Sequence, residues 1–180
     1  MTRVIGITGP AGSGKSTLAE NLINHMTEVP LVRMSIAEPI RNMLRELGLG
    51  DGDFGGGKNE VIPAYNRTPR QLMQTLGYEW GRKLVHPDVW LRNFRHRAAL
   101  HAWVVVDDVR FRNEADWVRS NGVLIHLRWG SLIPAGTFDH PSEDGVPFQQ
   151  GDIEVFRRDL QEEPLGALAD LLYEVRRAVS

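Results

Sequence analysis

Eight residues near the N-terminus constrain this chain more than any others: Gly9-Pro10-Ala11-Gly12-Ser13-Gly14-Lys15-Ser16 fits the pattern G-x-x-x-x-G-K-[ST]. They follow a short apolar run, Arg3 to Thr8, and precede Leu18, Leu22, Ile23 and Met26, which recur at helical spacing. The spacing predicts strand, loop and helix, the setting in which this pattern binds phosphate. Glycines let backbone N–H groups converge on phosphate oxygens, and the helix start adds the positive end of its dipole. Gly9, Ala11, Gly12, Ser13, Gly14, Lys15, Ser16 and Thr17 are therefore the candidate residues for ATP, with Lys15 reaching the β and γ phosphates and the Ser16 hydroxyl ligating magnesium. The bland alternative is a glycine-rich turn that merely joins strand to helix, and eight matched positions in the right setting weigh against it.

The rest of the chain alternates in the same way. Strands are expected over residues 31–36, 102–107, 123–129 and 153–156, and helices over about 39–47, 69–85, 87–101, 112–120 and 164–179. Thr68-Pro69-Arg70-Gln71 has the form of a capping box with proline at the first helical position, and Leu72, Met73, Leu76, Trp80 and Leu84 follow as an apolar stripe. The glycine-rich stretch Gly50 to Asn59 is expected to be a mobile loop, and residues 130–150, rich in proline and glycine, a surface excursion. Strands alternating with helices predict an α/β fold, a three-layer sandwich with a parallel sheet of about five strands.

Composition then removes whole classes of function. With 180 residues, one domain is expected, with an inserted lid at most. Lys plus Arg number 21 against 23 Asp plus Glu, a formal net charge of -2, so no global field draws the chain to polymeric nucleic acid. The absence of cysteine excludes disulfides, thiolate metal sites and cysteine nucleophiles. No apolar run approaches the roughly 18 residues of a membrane span, and the N-terminus lacks the pattern of a signal peptide, so the cytoplasm is the expected location. The six histidines lack metalloprotease spacing, and no G-x-S-x-G elbow occurs. Gly50-Asp-Gly52-Asp-Phe-Gly55 imitates a dinucleotide fingerprint, but no strand precedes it.

A phosphate-binding loop leaves open a kinase, a switch or a motor. Val104-Val105-Val106-Asp107-Asp108-Val109-Arg110 supplies an apolar strand ending in acid, which places a carboxylate at the C-terminal edge of the sheet where it can hold the magnesium shell. Alternatively, Asp107 or Asp108 caps the next helix. Arg110 either grips phosphate or neutralises those acids. Arg67, Arg70 and Arg82, with Gln74 one turn beyond Arg70, form the cluster that a phosphorylated acceptor needs, unless they are only a solvated helix face; Arg41 carries the same ambiguity. Trp80, Trp90 and Trp117 fall in helical stripes and are expected in the core. Arg128, at a strand end, stands where a lid would bring a cation onto the transferring phosphoryl group. His140 and Glu143 lie in the excursion.

Taken with GPAGSGKST, the segments RTPRQLMQTLGYEWGRKLVHPDVWL, VVVDDVRFRNEADWV and HPSE resemble the phage-type deoxynucleoside monophosphate kinases, a match spread over most of the chain. The resemblance implies a P-loop kinase domain over 1–180, with an acceptor-binding helical region at about 37–100 and a lid at about 130–150. It implies transfer of the ATP γ-phosphate to a deoxynucleoside monophosphate, with Mg²⁺, in the cytoplasm, which is the host cytoplasm if a phage encodes the chain. It places Lys15 and Ser16 in the ATP site, Asp107, Asp108 and Arg110 in the catalytic centre, and Arg70, Gln74, Trp80 and Arg82 on the acceptor side. Arg128, His140 and Glu143 fall in its lid region. Phe156-Arg157-Arg158-Asp159 departs from the polar turn more usual in that family. A kinase of another phosphorylated small molecule, of the phosphomevalonate or dephospho-coenzyme A type, is the alternative among enzymes. A nucleotide-dependent switch is the alternative outside them, although no N-K-x-D signature is present. A monomer and a homodimer are both compatible with the sequence.

Overall fold

The computed structural model describes residues 1–128, 141 and 145–179. The chain divides into two compact units, the first formed by Met1–Ser35 with Arg95–Ser180 and the second by Ile36–Phe94.

The first unit is built on a five-stranded sheet in the order β2-β3-β1-β4-β5, with every neighbouring pair parallel. Its strands are β1 (Arg3–Thr8), β2 (Leu31–Met34), β3 (Trp103–Val106), β4 (Gly122–Arg128) and β5 (Ile153–Phe156). The three inner strands are apolar almost throughout, as a sheet covered on both faces requires, whereas β5 alternates buried with exposed residues and β2 exposes Val32 and Arg33. Five parallel strands meet the sequence expectation, and their limits fall within two residues of it.

One buried cluster joins Ile5, Ile7, Val105, Ile125, Leu127 and Val155 of the sheet to Leu18 and Leu22 of α1 (Lys15–His25) and to Leu168, Leu172 and Val175 of α8 (Pro164–Val179). On β1, the hydrogen of Gly6 faces α6 (Arg112–Asn121) so closely that an added Cβ would lie 2.6 Å from Cγ1 of Val118. Three elements were not foreseen in sequence. In the second unit, the stretch expected as a mobile loop folds into a helical turn, α3 (Asp51–Phe54), and a 3₁₀ turn, Gly56–Asn59. Asp53 stabilises α3 by accepting the Gly50 N–H at 2.7 Å, a local polar closure that glycine content alone conceals. In the first unit, α7 (Arg157–Glu162) occupies the segment after β5.

The chain emerging at Gly145 is fastened by a buried polar knot. Asp152 receives two bonds from Arg119, Nε to Oδ1 at 2.9 Å and Nη2 to Oδ2 at 2.7 Å, and a third from the Gln149 N–H at 2.9 Å. His126, buried in β4, lies 2.8 Å from the same carboxylate through Nε2, and the carboxylate can only accept, so this nitrogen carries the proton. Arg119 also donates to the Pro147 carbonyl, and the Phe148 ring packs on the imidazole. Burial lowers the His126 pKa below the ordinary histidine value and outweighs the Asp152 carboxylate, which pulls the other way. The unfolded chain therefore takes up a proton near pH 6.5 that the folded chain refuses, and stability falls as pH drops through that value. Asp152, whose pKa is lowered by Arg119, Gln149 and His126 against the cost of its burial, adds its own loss only at more acidic pH. Melting curves at pH 7, 6 and 5 should show a falling midpoint, and His126→Gln should flatten that fall; an unchanged slope would show that the imidazole is not held neutral.

Candidate active site

Parallel strands leave their ligand crevice at the carboxyl ends, where consecutive connections run in opposite directions. Here that point lies between β1, whose crossover leads to β2, and β3, whose crossover leads to β4. The Gly9 loop follows β1 there. Gly9 passes β4 so closely that a Cβ would sit 2.4 Å from the Leu127 carbonyl oxygen, and Gly14 has φ 97, so both positions demand glycine. Gly14 is the N-cap of α1 and supplies no side-chain cap, which leaves the first N–H groups of that helix for a ligand. Ser13 is buried, and its hydroxyl has no hydrogen-bond partner among the described residues. A buried, unpartnered hydroxyl inside a glycine loop fits an anionic ligand oxygen. Lys15 folds back over the loop, donating from Nζ to the carbonyls of Gly9 at 2.8 Å and Pro10 at 2.6 Å.

Ser16 stands one position into α1 and donates from Oγ to Oδ2 of Asp107 at 2.7 Å. The loop and the strand-end acid are thus brought together, and their oxygens are the hard donors a magnesium shell takes. Asp107 is also held by a residue that the sequence reading missed. Arg33, on β2, donates from Nη2 to the same Oδ2 at 2.6 Å and from Nη1 to Glu20 at 2.9 Å. Burial lowers the Arg33 pKa, but the bonds to Asp107 and Glu20 outweigh it and hold the guanidinium above the usual arginine range. A charged side chain near the carboxyl end of the strand beside β3 was the signal available.

Asp108 accepts from Ser35 Oγ at 2.5 Å. The main-chain N–H groups of Arg110 and Phe111 both donate to the buried Glu114 carboxylate, at 2.8 and 3.0 Å, which starts α6. The N-cap of α6 is Phe111, and the carboxylate that meets its N–H is that of Glu114, three residues into the helix start. Arg128 is half exposed and pairs with Glu154 at 2.9 Å. Arg157, from α7, donates to the Gly12 carbonyl at 3.0 Å, so the segment that departs from the family's usual turn touches the phosphate loop. His140 and Glu143 lie outside the described residues, as does most of the expected lid.

In the second unit, the Thr68 hydroxyl accepts the Gln71 N–H at 3.2 Å and the Gln71 side chain accepts the Thr68 N–H at 2.9 Å, the capping box read from sequence. The helix it opens is not one α-helix to residue 85. It is α4 (Pro69–Gln74) continued by a π-helix over Thr75–Val85. The i→i+5 repeat rotates the inward face, so Gly77, Gly81 and Arg82 are buried while Trp80 and Leu84, expected in the core stripe, are exposed. Trp90, on α5 (Val89–Ala98), explains the glycines: its indole N–H donates to the Gly77 carbonyl at 2.6 Å. A Cβ on Gly81 would lie 2.5 Å from that ring.

The acceptor candidates separate accordingly. Arg70 and Gln74 are half-buried one turn apart on α4. Arg82 is buried and donates to the Pro87 carbonyl at 2.7 Å. Arg67 is exposed and bonds to its neighbour's carbonyl, and Arg41 pairs with Glu38 at 3.2 Å. Trp117 is partly buried on α6.

No family model matches this chain. It is 31% identical, over 159 residues, to a protein of Acanthamoeba polyphaga mimivirus named as a deoxynucleotide monophosphate kinase, an alignment covering 78% of this chain and 80% of the viral protein. The chain belongs to the deoxynucleoside monophosphate kinase family. The deoxynucleoside-5'-monophosphate kinase of Escherichia phage T5 is 37% identical over 91 residues, 44% of this chain and 35% of the phage enzyme. A gluconokinase structure from Sinorhizobium meliloti aligns over 97% of this chain and 95% of its own at 16% identity and a TM-score of 0.43, too low to bear on either fold or reaction. The protein is accordingly a nucleotide kinase, an ATP-dependent phosphotransferase. Among the described residues no helix is long and apolar enough to cross a membrane.

The kinase's π-helix offers a direct test. Gly81→Ala forces the Trp90 indole from its seat and disturbs its bond to Gly77. Urea unfolding should show a loss of about 2 kcal/mol, in the range of overpacked cores. A loss below about 0.5 kcal/mol would mean that the glycine is not required by the ring.

Proposed function

We propose that this kinase transfers the γ-phosphoryl group of ATP to the phosphate of a deoxynucleoside monophosphate, giving the deoxynucleoside diphosphate and ADP. The observation that carries the reading is Ser16 bonded to Asp107 at the open start of α1, in a chain whose relatives are named for that acceptor. The reaction needs two anions aligned and their charge neutralised. The loop from Gly9 to Thr17 receives the ATP phosphates: its N–H groups and Ser13 bind phosphate oxygens, and Lys15 turns its ammonium from the loop carbonyls to the β and γ phosphates. Ser16 and Asp107 hold Mg²⁺, which when bound supplies charge neutralisation at the bridging phosphates. Asp108 keeps the strand end in place through Ser35. Arg110 and Arg128 are the further cations assigned to the transferring group.

Arg70 and Gln74 bind the acceptor phosphate, Arg41 and Arg67 lie on the same acceptor-binding unit, and Trp80 offers an exposed indole to the base. Arg82 supports that region from inside, by its bond to Pro87. An acceptor oxygen attacks the γ phosphorus, the bond to the β,γ-bridging oxygen breaks, and ADP carries that oxygen away. No strong base is needed, because the second ionisation of a phosphate monoester lies near pH 6.

The reading is tested by supplying each deoxynucleoside and ribonucleoside monophosphate with ATP and Mg²⁺. ADP should form only when a monophosphate is present, with at least one deoxynucleotide among those accepted. ADP formation indifferent to all of them would defeat the proposal. The acceptor site has a separate test in Arg70→Ala, which removes a charge-assisted bond of roughly 1.5 to 3 kcal/mol and should raise the acceptor KM by about tenfold to a hundredfold with little effect on the KM for ATP. Equal changes in both constants, with a lowered melting midpoint, would instead show that Arg70 is structural.

A further inference from the structure

Asp107 is 8% exposed, and a carboxylate so placed is costly unless paired. The chain supplies its own counter-charge in Arg33, whose guanidinium meets Oδ2 at 2.6 Å, while the same oxygen accepts from a neutral donor, Ser16, at 2.7 Å. Arg33 is gripped at two ends. Its Nη1 bonds to Glu20 at 2.9 Å, and Glu20 lies on α1 one turn beyond Ser16, with a side chain 62% exposed. Ser16, Asp107, Arg33 and Glu20 thus run in an unbroken chain of hydrogen bonds that begins and ends on the same helix.

We infer that Arg33 is a positioning residue that occupies Asp107 in place of a divalent cation, so that metal is admitted only together with nucleotide. The inference rests on the assignment of Asp107 to the metal shell. A divalent ion approaching the free enzyme meets a carboxylate already neutralised by an adjoining positive charge, and like charges at this distance repel strongly in a partly buried site. The phosphates of a bound nucleotide reverse that balance by adding several negative charges. Arg33 then has somewhere to go: the Glu20 carboxylate keeps its Nη1 while Nη2 releases Asp107. The arrangement keeps the free loop from loading a metal that would leave no phosphate ligands to complete its shell.

The test reads binding of Mn²⁺ alone, by water-proton relaxation, to the full chain without nucleotide. Arg33→Met should bind Mn²⁺ about tenfold more tightly than the native chain or more, Arg33→Lys should stay near native, and Asp107→Asn added to Arg33→Met should erase the gain. Equal or weaker Mn²⁺ binding by a folded Arg33→Met chain would overturn the inference. Should that variant fail to fold, Glu20→Gln, an exposed change, carries the same question. With Arg33 committed wholly to Asp107, more Mn²⁺ should be needed for half-maximal ADP binding, and an unchanged requirement would overturn it. Asp107→Asn alone separates this from the functional reading. If it leaves the Mn²⁺ dependence of ADP binding unchanged, Asp107 is not in the metal shell and that assignment fails; if it shifts the dependence while Arg33→Met gains nothing, the Arg33 inference alone falls.

Discussion

Everything in the first unit depends on β1 being covered on both faces. A strand flanked on both edges by parallel neighbours cannot be joined to them by hairpins, so each neighbour arrives by a helical crossover. With β3 on one side and β4 on the other, the crossovers must run in opposite directions, and a crevice opens at the carboxyl end of β1. The glycine loop is the chain's way through that narrow point. Gly9 skirts the Leu127 carbonyl, Gly14 turns into the left-handed region, and α1 begins with its N–H groups aimed into the crevice. The packing that covers β1 also fixes the phosphate site, since Leu18 and Leu22, which seat α1 on the sheet, follow Ser16 within two turns.

The charges around that crevice are arranged in stages of burial. Deepest is Asp107, tied by Arg33 and Ser16; Arg33 is itself partly exposed and shared with the more exposed Glu20; Arg128 and Glu154 form a separate, partly exposed pair. Surface pairs such as the last contribute little and exchange freely. A buried carboxylate is different, because losing one partner requires gaining another of comparable strength. The Asp107 charge is therefore neutralised within the chain, and whatever takes the place of Arg33 there must bring positive charge of its own. Arg157, bonded to the Gly12 carbonyl, adds a cation beside the loop from the short helix α7.

The sequence was most legible where one physical requirement dominated. Continuous apolar runs identify the three inner strands, which are buried on both faces, and all five strands stand within two residues of their expected limits. The Thr68 capping box fixed the start of α4 because its two bonds are local. Readings that needed distant partners were less complete. Arg33 looks like an ordinary polar residue of an edge strand until β3 places Asp107 beside it. Glu114 looks like a helix-surface acid until two N–H groups point at it. The 69–85 stripe was misjudged for a further reason: the α-helical period assigns Trp80 and Leu84 to the core, whereas Trp90, arriving from nine residues downstream of Gly81, selects the π form and buries the glycines instead.

That π-helix also sorts the polar positions of the second unit by burial. In a continuous α-helix Arg70 and Gln74 would share a face, and Arg82, twelve residues beyond Arg70, would point roughly 120° away from it. The i→i+5 repeat begins directly after Gln74 and sends Arg82 inward, where its guanidinium satisfies the Pro87 carbonyl ahead of α5. A buried arginine bonded to a main-chain carbonyl ties the end of the π-helix to the residues ahead of α5. Arg70 and Gln74 precede the change of repeat and keep their α-helical spacing on a capped, proline-started turn. The cluster that looked uniform in sequence therefore divides into a half-buried pair, Arg70 and Gln74, on the α turn and a buried Arg82 within the π-helix.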